Sequence, residues 1–176
     1  MCTGSGCILL SLLHYSNDCE GLGVDLSAEA LEVAGRNVLK VLTPEKAEHA
    51  HFLQSDLFEK VEGKFEIIVS NPPYIASAEV EKLMPEVRDH EPRMALDGTE
   101  DGLYFYRRII EEAGKHLVSS GMLFFEIGYD QGQAVSELMR TEGYCEVQVV
   151  QDYAGLDRVV FGTYVTVQPA PFAKSR

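Results

Sequence analysis

The 176-residue sequence predicts an α/β fold with a mainly parallel β-sheet. Helical and strand-like hydrophobic periods alternate along the chain, as they do where crossover helices join parallel strands. Glycine or polar residues follow several apolar runs, as expected at the carboxyl edge of an open sheet. No linker interrupts the alternation, and 45% of the residues are hydrophobic. One domain over residues 1–167 is therefore expected, followed by a disordered tail at residues 168–176.

The N-terminal elements are predicted to be a helix, a strand and a second helix. The turn Gly4-Ser5-Gly6 is expected to open a short apolar helix that ends at Leu13. A brief strand over residues 22–24 follows and ends at Asp25. Ser27 has a side-chain oxygen that can cap the next helix. The apolar residues of that helix recur at spacings of three and four: Leu31, Ala34, Val38 and Val41.

The middle of the chain is expected to hold two more strands and a long loop. The strands are predicted at residues 51–54 and 65–70, after a polar connection through Pro44. Residues 75–102 are rich in polar residues and contain two further prolines, which predicts a loop. Loops of this length within a compact domain are commonly functional.

The C-terminal part alternates again between helix and strand. A helix is predicted over residues 103–117, a strand over 122–127 and a helix over 131–141. The runs 146–150 and 158–166 alternate at period two around a short turn. Two strands joined so briefly must be antiparallel, so a C-terminal hairpin is expected.

Composition and charge exclude several classes of protein. The chain has 28 acidic and 15 basic residues, a formal charge of −13, and no short stretch that concentrates Lys or Arg. Direct binding to nucleic acid is therefore not expected, since phosphate neutralisation supplies most of that affinity. The apolar run at residues 7–13 is too short to span a membrane and follows no basic residue, so we expect a cytoplasmic protein. The four cysteines lack C-x-x-C spacing, and no metal site is predicted.

The most informative motif is Asn71-Pro72-Pro73-Tyr74, which directly follows the predicted strand over residues 65–70. Two prolines remove two backbone donors and fix two φ angles, so the Asn amide and the nearby carbonyls are left free. The Asn71 oxygen and the Pro72 carbonyl can each accept one hydrogen of a planar amino group, against which Tyr74 can pack. The same tetrapeptide could also be a rigid turn after a strand, and its surroundings decide between the two interpretations.

Residues that suit a nucleoside follow the other predicted strands. Glycines in the turn at residues 4–6 allow close backbone approach and precede a helix N-terminus with free N–H groups. Asp25 can accept hydrogen bonds from both hydroxyls of a ribose. Asp56 follows the next strand and can meet an adenine amino group, with Leu57 beside the ring. Together with the amino-group clamp, these residues predict an adenosine pocket at the carboxyl edge of the sheet.

These motifs resemble those of the HemK/PrmC family, the protein-(glutamine-N5) methyltransferases of peptide chain release factors. The resemblance covers nearly all of the chain except its tail. It rests on six segments: Cys2-Thr3-Gly4-Ser5-Gly6, Gly23-Val24-Asp25, Gln54-Ser55-Asp56-Leu57-Phe58, Ser70-Asn71-Pro72-Pro73-Tyr74-Ile75, Glu91 to Gly98 with Asp101-Gly102-Leu103, and Asp152 to Val159. The tetrapeptide alone is also found in adenine N6-methyltransferases. The segment from Glu91 to Gly98 narrows the resemblance to the release factor methyltransferases.

The resemblance implies a class I S-adenosylmethionine-dependent methyltransferase fold, Rossmann-like and with an antiparallel C-terminal hairpin. It implies methyl transfer from S-adenosylmethionine to the glutamine side-chain nitrogen in the Gly-Gly-Gln loop of a release factor, by a monomer. The catalytic and substrate-binding residues would be Asn71, Pro72, Pro73 and Tyr74. The cofactor-binding residues would be Cys2, Thr3, Gly4, Ser5, Gly6, Asp25, Asp56, Leu57 and Asn71.

The chain departs from the family pattern at its start. The family places an N-terminal helical domain and then a first strand, ending in an acid, before the glycine turn, whereas this sequence begins at Met1 within that turn. The strand is central in the family's sheet, so its absence is expected to leave two interior strand edges unpaired. We therefore expect a truncated chain of low stability and weak cofactor affinity.

Two other functions remain open. An adenine N6-methyltransferase would use the same clamp on an exocyclic amine, although the acidic charge and the lack of a target-recognition insertion disfavour DNA or RNA as the substrate. An inactive fragment that folds against a partner chain would retain the motifs without catalysis.

Overall fold

The computed structural model of the chain describes residues 1–165, which form helices and strands in alternation. The helices are α1 (Cys7–Tyr15), α2 (Ala28–Val41), α3 (Pro44–Ala47), α4 (Ser77–Val80), α5 (Pro85–Arg88), α6 (Arg93–Leu96), α7 (Tyr104–Ala113) and α8 (Gly132–Thr141). The strands are β1 (Gly21–Asp25), β2 (Ala50–Gln54), β3 (Phe65–Ser70), β4 (Leu117–Glu126), β5 (Tyr144–Gln151) and β6 (Asp157–Tyr164). None of these helices is both long and apolar enough to cross a membrane. The predicted tail at residues 168–176 lies outside the described residues.

The strands form two sheets, and the break lies between β1 and β3. β1 and β2 pair in parallel, with Val24 opposite Leu53. The larger sheet has the order β3-β4-β6-β5, in which β3 and β4 are parallel and β6 is antiparallel to both of its neighbours. The α/β fold with a C-terminal antiparallel hairpin is thereby confirmed. Among residues 1–165, β1 and β3 each have one edge without a strand partner, which agrees with the two unpaired edges expected from the sequence.

Most of the core lies between the larger sheet and the helices α7 and α8. Tyr106 of α7 is fully buried, and its ring meets that of Phe125 edge to face at 5.2 Å. Its hydroxyl donates to the Glu126 carbonyl at 2.9 Å, which satisfies the polar end of a buried aromatic residue. Val135 and Met139 of α8 are also fully buried. Helix α7 therefore holds the carboxyl end of β4, and α8 adds two more residues to the core.

A second, smaller core joins α1 and α2 to the smaller sheet. Its buried members are Leu10, Leu13, Val38 and Leu42, and Phe52 of β2 packs against them. The smaller sheet therefore has its own hydrophobic cluster beside the main core.

Helix α2 begins where predicted but buries a different residue at its end. The Ser27 hydroxyl accepts a hydrogen bond from a first-turn N–H at 3.1 Å and caps the helix. Ala34 and Val38 are buried as predicted, whereas Val41 is 42% exposed. The backbone becomes extended at Leu42, and this residue enters the small core in place of Val41.

The predicted helix over residues 103–117 was too long. Helix α7 ends at Ala113, and Leu117 is instead the first residue of β4, where it is buried and pairs with β3. The ring of Tyr164 packs against Gly114, where a Cβ would lie only 2.7 Å from the ring. Apolar spacing alone does not reveal this boundary, since a buried Leu suits the inward face of either element.

The other boundaries differ from the prediction by a few residues. β1 and β2 each begin one residue earlier, and α8 begins one residue later, at Gly132. β5 is longer than predicted, and β6 ends at Tyr164. The predicted loop at residues 75–102 contains the single-turn helices α4, α5 and α6, and α3 is a single turn in the predicted polar connection.

We expect Leu123→Ala to lower the free energy of unfolding by about 2–5 kcal/mol, because Leu123 is fully buried at the centre of β4. The matched control Leu39→Ala should change the same quantity by less than about 0.5 kcal/mol, because Leu39 is 83% exposed on α2. Urea unfolding followed by circular dichroism measures both. Equal effects of the two substitutions would contradict the position of the main core.

Candidate active site

A cavity of about 690 Å³ lies at the carboxyl ends of β1, β2 and β3. It is lined by every site residue predicted from the sequence except Gly6: Cys2, Thr3, Gly4, Ser5, Asp25, Asp56, Leu57, Asn71, Pro72, Pro73 and Tyr74. Gly6 is buried behind the turn. Residues 92 and 94–97 of the long loop line another side of the cavity. Residues that follow separate strands therefore meet at one sheet edge, as the fold class predicts.

The glycine turn is held against the end of β1. Gly4 and Gly6 have positive φ angles of 54° and 80°, a conformation that favours glycine. The Thr3 N–H donates to the Val24 carbonyl at 2.9 Å. A Cβ at Gly6 would lie 3.2 Å from the Cβ of Ala34, so this glycine also lets the turn pack on α2. α1 follows the turn without a side-chain cap, which leaves its first N–H groups for water or a ligand.

Asp25 holds the glycine turn in place and can still accept hydrogen bonds from a ligand. Its Oδ2 accepts a hydrogen bond from the Gly4 N–H at 2.8 Å, and its Oδ1 accepts one from the Ser27 N–H at 3.0 Å. A carboxylate oxygen has two lone pairs, so each oxygen can accept a second donor. The carboxylate is therefore held in place at the wall of the cavity before any ligand binds.

Asp56 has a partner that sequence reasoning missed. Arg108 Nη1 of α7 donates to Asp56 Oδ1 at 2.9 Å, and the Arg108 guanidinium lies 5.8 Å from the centre of the Tyr104 ring. Asp56 Oδ2 has no hydrogen bond within the described residues and remains available to a ligand. The neighbouring Leu57 is buried and has a φ of 46°, a conformation that is strained for a residue other than glycine. The turn after β2 is thus fixed by α7 and by the core beneath it.

The clamp at residues 71–74 directly follows β3 and contains two hydrogen-bond acceptors that have no partner among residues 1–165. Pro72 is fully buried, Tyr74 is partly buried and Asn71 is exposed. Within residues 1–165, no hydrogen bond involves the Asn71 side chain or the Pro72 carbonyl. Asn71 and Pro72 both line the cavity, and a purely structural turn accounts for the prolines but not for acceptors without a partner there. The catalytic role of these residues stays a prediction.

The long loop returns to the clamp and is hydrogen-bonded to the residue that follows it. The Ile75 N–H donates to the Leu96 carbonyl at 3.0 Å, and the Gly98 N–H donates to the Ile75 carbonyl at 2.8 Å. The Ser77 hydroxyl donates to Asp97 Oδ1 at 2.6 Å, and this hydrogen bond holds the pKa of Asp97 below its usual range. The two ends of the loop are therefore joined directly beneath the clamp.

Gly98 and Gly102 lack side chains, which lets the clamp backbone pack closely against both. A Cβ at Gly98 would lie 2.8 Å from the Cα of Tyr74 and 2.9 Å from the Pro73 carbonyl oxygen. Gly102 has a φ of 72° and packs against the Tyr74 carbonyl. Side chains at these positions would displace the clamp, which explains the glycines in the motifs that the resemblance singled out.

Gln131 joins the clamp to the end of β4. Its Nε2 donates to the Tyr74 carbonyl at 3.0 Å and to the Gly102 carbonyl at 3.4 Å, and its Oε1 accepts from the Gly128 N–H at 3.0 Å. The residue occupies the N-cap position of α8, which fixes its backbone. Sequence reasoning identified Gln131 only as a helix start, because its partner Tyr74 lies 57 residues away in the chain.

The Tyr74 ring lies close to two charged residues. Burial raises the pKa of Tyr74, the Glu126 carboxylate adds to this rise, and the Arg158 guanidinium opposes it. Arg158 is held by Asp152 of the β5–β6 turn, with 3.2 Å between Nη2 and Oδ2. The Tyr74 hydroxyl is therefore protonated at neutral pH, and the segment from Asp152 to Val159 contributes a cation to this end of the site.

A metal site would need several His, Cys, Asp or Glu side chains close together. Within residues 1–165, no three His, Cys, Asp or Glu side chains lie close enough together to hold a metal ion. Cys2, Cys7, Cys19 and Cys145 are free thiols.

We expect Gly98→Ala to destabilise the chain by about 1–3 kcal/mol, because the new methyl group would overlap the clamp backbone. The control Gly35→Ala should stabilise it by about 0.5–1 kcal/mol, because a Cβ at this helical position meets no atom within 4 Å. Thermal and urea unfolding measure the two effects. Effects of the same sign would contradict the close packing at Gly98.

We expect Gln131→Ala to increase the rate of amide hydrogen exchange at Ile75 and Gly98, because the Tyr74 carbonyl loses its donor. The matched control Gln133→Ala removes only an exposed hydrogen bond to Glu137 and should leave both rates unchanged. Exchange monitored by NMR measures the two amides directly. Unchanged rates in Gln131→Ala would show that the loop hydrogen bonds hold the clamp without Gln131.

The chain is similar in sequence to characterised methyltransferases. The family described as "Methyltransferase small domain" matches residues 1–87. The release factor glutamine methyltransferase of Agrobacterium fabrum is 45% identical over 158 residues, which are 90% of this chain and 54% of that protein. The protein of the same name from Thermodesulfovibrio yellowstonii is 43% identical over 161 residues, 91% of this chain and 56% of that protein. The chain thus spans about half the length of the curated relatives it matches.

Solved structures show the same fold at low sequence identity. A methyltransferase from Pyrococcus furiosus is similar with a TM-score of 0.66 and 17% identity, over 93% of this chain and 72% of that chain. An RNA methyltransferase from Salinibacter ruber, solved in complex with S-adenosyl-L-homocysteine, is similar with a TM-score of 0.56 and 16% identity, over 97% of this chain and 81% of that chain. The fold is therefore that of the class I methyltransferases. At 40–45% identity over about 90% of its length, the chain is a sequence relative of the proteins named release factor glutamine methyltransferase, the HemK/PrmC family that the motifs resemble.

Proposed function

We propose that the chain binds S-adenosylmethionine and methylates the side-chain nitrogen of the glutamine in the Gly-Gly-Gln loop of a peptide chain release factor. The observation that carries this proposal is that one cavity is lined both by the glycine turn with Asp25 and by the clamp at residues 71–74. The names of the curated relatives support the release factor as substrate. The proposed setting is the cytoplasm, and the proposed state is a monomer.

The residues of the cavity fit the cofactor. A volume of about 690 Å³ suits a ligand of this size. Both Asp25 oxygens can accept ribose hydroxyls, and Asp56 Oδ2 can accept from the adenine amino group. The turn at residues 2–6 can approach the ligand with its backbone. When bound, S-adenosylmethionine supplies an electrophilic methyl group on a positively charged sulfur.

The clamp can orient an amide that is otherwise a poor nucleophile. The lone pair of an amide nitrogen is delocalised into its carbonyl, so the position of the group matters more than its basicity. The Asn71 oxygen and the Pro72 carbonyl would each accept one N–H of the glutamine amide, which fixes the direction of the nitrogen. The same acceptors stabilise the positive charge that develops on the nitrogen. The hydrogen bond from Gln131 to the Tyr74 carbonyl would hold this geometry before the substrate binds.

Two alternatives use the same residues. Adenine N6-methylation needs an equivalent clamp, but the net charge of −13 and the scattered basic residues disfavour a nucleic-acid substrate. A non-catalytic role would leave the open acceptors at Asn71 and Pro72 without a use.

We expect Asn71→Ala to lower the rate of release factor methylation by roughly 100-fold or more, because one of the two acceptors of the reacting amide is lost. The matched control Asn17→Ala, at an exposed position away from the cavity, should leave the rate unchanged. Transfer of a labelled methyl group from S-adenosylmethionine to purified release factor measures this rate, and calorimetric titration measures cofactor binding separately.

The same assay includes an adenine-containing oligonucleotide as second substrate. Methylation of the oligonucleotide but not of release factor would favour the adenine alternative. Methylation of neither by the parent chain would favour the non-catalytic one, and a parent-like rate for Asn71→Ala would refute the clamp.

A further inference from the structure

Arg108 of α7 is held by two neighbours of different kinds. Its Nη1 donates to Asp56 Oδ1 at 2.9 Å. Its guanidinium lies 5.8 Å from the centre of the Tyr104 ring, one helical turn earlier, which is within the range of a cation–π interaction. The Arg108 side chain is only 25% exposed, and a guanidinium donates in a planar fork of fixed shape. The direction of its hydrogen bond to Asp56 is therefore well defined.

The backbone at Asp56 is fixed by contacts that do not involve Arg108. The preceding residue, Ser55, is buried, and its N–H donates to the Asp25 carbonyl at 3.0 Å. The Ser55 hydroxyl accepts a hydrogen bond from the Lys60 N–H at 3.0 Å, which closes the turn after β2. A change at Arg108 should therefore leave this turn in place and act on the Asp56 side chain alone.

Arg108 can reach a ligand only through Asp56. Asp56 lines the cavity at the carboxyl ends of the strands, whereas Arg108 and Tyr104 are not among the lining residues in the described part of the chain. The outer torsion of an aspartate side chain is broad, so a carboxylate without a partner turns easily. The hydrogen bond from Arg108 limits this rotation at one oxygen, while Asp56 Oδ2 keeps its lone pairs for a ligand.

The Asp56 carboxylate can distinguish purines by the group at position 6. An ionised carboxylate accepts hydrogen bonds and donates none. The 6-amino group of adenine donates, whereas the 6-oxo group of hypoxanthine accepts, and that ring carries its donor on the neighbouring N1. A carboxylate held toward position 6 therefore pairs with the amino group and opposes the oxo group. A carboxylate that is free to turn could follow the donor to N1 and would distinguish the two rings less.

We propose that Arg108 is a positioning residue that makes the cavity selective for a 6-aminopurine over a 6-oxopurine. It does so by holding the Asp56 carboxylate at Oδ1, so that Oδ2 meets the group at position 6 of the ring. Because the proposed function makes an adenosine derivative the ligand, this role of Arg108 rests on that function.

The test compares two ligands that differ only at position 6 of the purine and its N1 proton. S-Adenosylhomocysteine and S-inosylhomocysteine are titrated calorimetrically into the full chain, and the readout is the ratio of their dissociation constants. Arg108→Met removes the donor but keeps the length of the side chain beside Tyr104, and Arg108→Lys restores a cation. The matched control is Arg107→Ala, which removes an exposed ion pair with Asp101 on the same helix.

We expect the parent chain to bind S-adenosylhomocysteine roughly tenfold or more tightly than its 6-oxo analogue, because the carboxylate loses its donor in the analogue. The ratio should fall by roughly threefold or more in Arg108→Met and recover in part in Arg108→Lys, which lacks the planar fork. Arg107→Ala should keep the parent ratio. In an Asp56→Asn background, Arg108→Met should leave the ratio unchanged, since Arg108 acts through Asp56.

The outcomes separate a positioning role from a structural one. A loss of affinity by the same factor for both ligands in Arg108→Met would leave the ratio at its parent value and would overturn the role of Arg108. An equal fall of the ratio in the Asp56→Asn background, or a parent chain without preference between the ligands, would also overturn it. Each of these results leaves the proposed function standing, whereas a parent chain that binds neither ligand would refute the proposed function and the role of Arg108 together.

Discussion

The backbone contacts of the first four residues join the two halves of the candidate site. Asp25 belongs to the smaller sheet and Asn71 follows a strand of the larger sheet, so no strand pairing within residues 1–165 fixes one relative to the other. The Met1 amino group binds the end of β3, and the Thr3 and Gly4 N–H groups bind the end of β1. Together with the Asp56–Arg108 ion pair and the main core, which includes Val24 and Leu57, this short segment sets the distance between the residues proposed to hold the cofactor and those proposed to hold the substrate.

The clamp, in contrast, depends on contacts that are distributed over the larger unit. The loop after it returns at Gly98, Gln131 reaches it from the start of α8, and Arg158 lies beside Tyr74 from the hairpin. These contacts come from three separate regions of the sequence. The backbone of the clamp is consequently fixed by contacts from several elements, while the Asn71 side chain and the Pro72 carbonyl have no hydrogen-bond partner among residues 1–165.

The sequence predicts the residues of the site that have local signals. Asp25 and Asn71 follow apolar runs that only strands explain, and glycine or proline marks the turns beside them. Arg108 and Gln131 could not be found in this way, because their partners lie 52 and 57 residues away and nothing local distinguishes them from other helical polar residues. The misplaced end of α7 has a similar cause, since Gly114 is required by the ring of Tyr164, which is far along the chain. Long-range packing therefore determines these contacts and this helix end, which hydrophobic periodicity alone does not predict.

The small core of Leu10, Leu13, Val38 and Leu42 gives the first third of the chain a measure of independence. A cluster with few apolar contacts opens at lower free energy than the main core, whereas Val24 of β1 and Leu57 after β2 pack in the main core and join the two parts. A ligand that contacts Asp25 and Asn71 together would bind only when both units are ordered, and would stabilise their association by mass action. Ligand binding in the cavity would then be coupled to the association of these two parts of the domain, because the ligand contacts both.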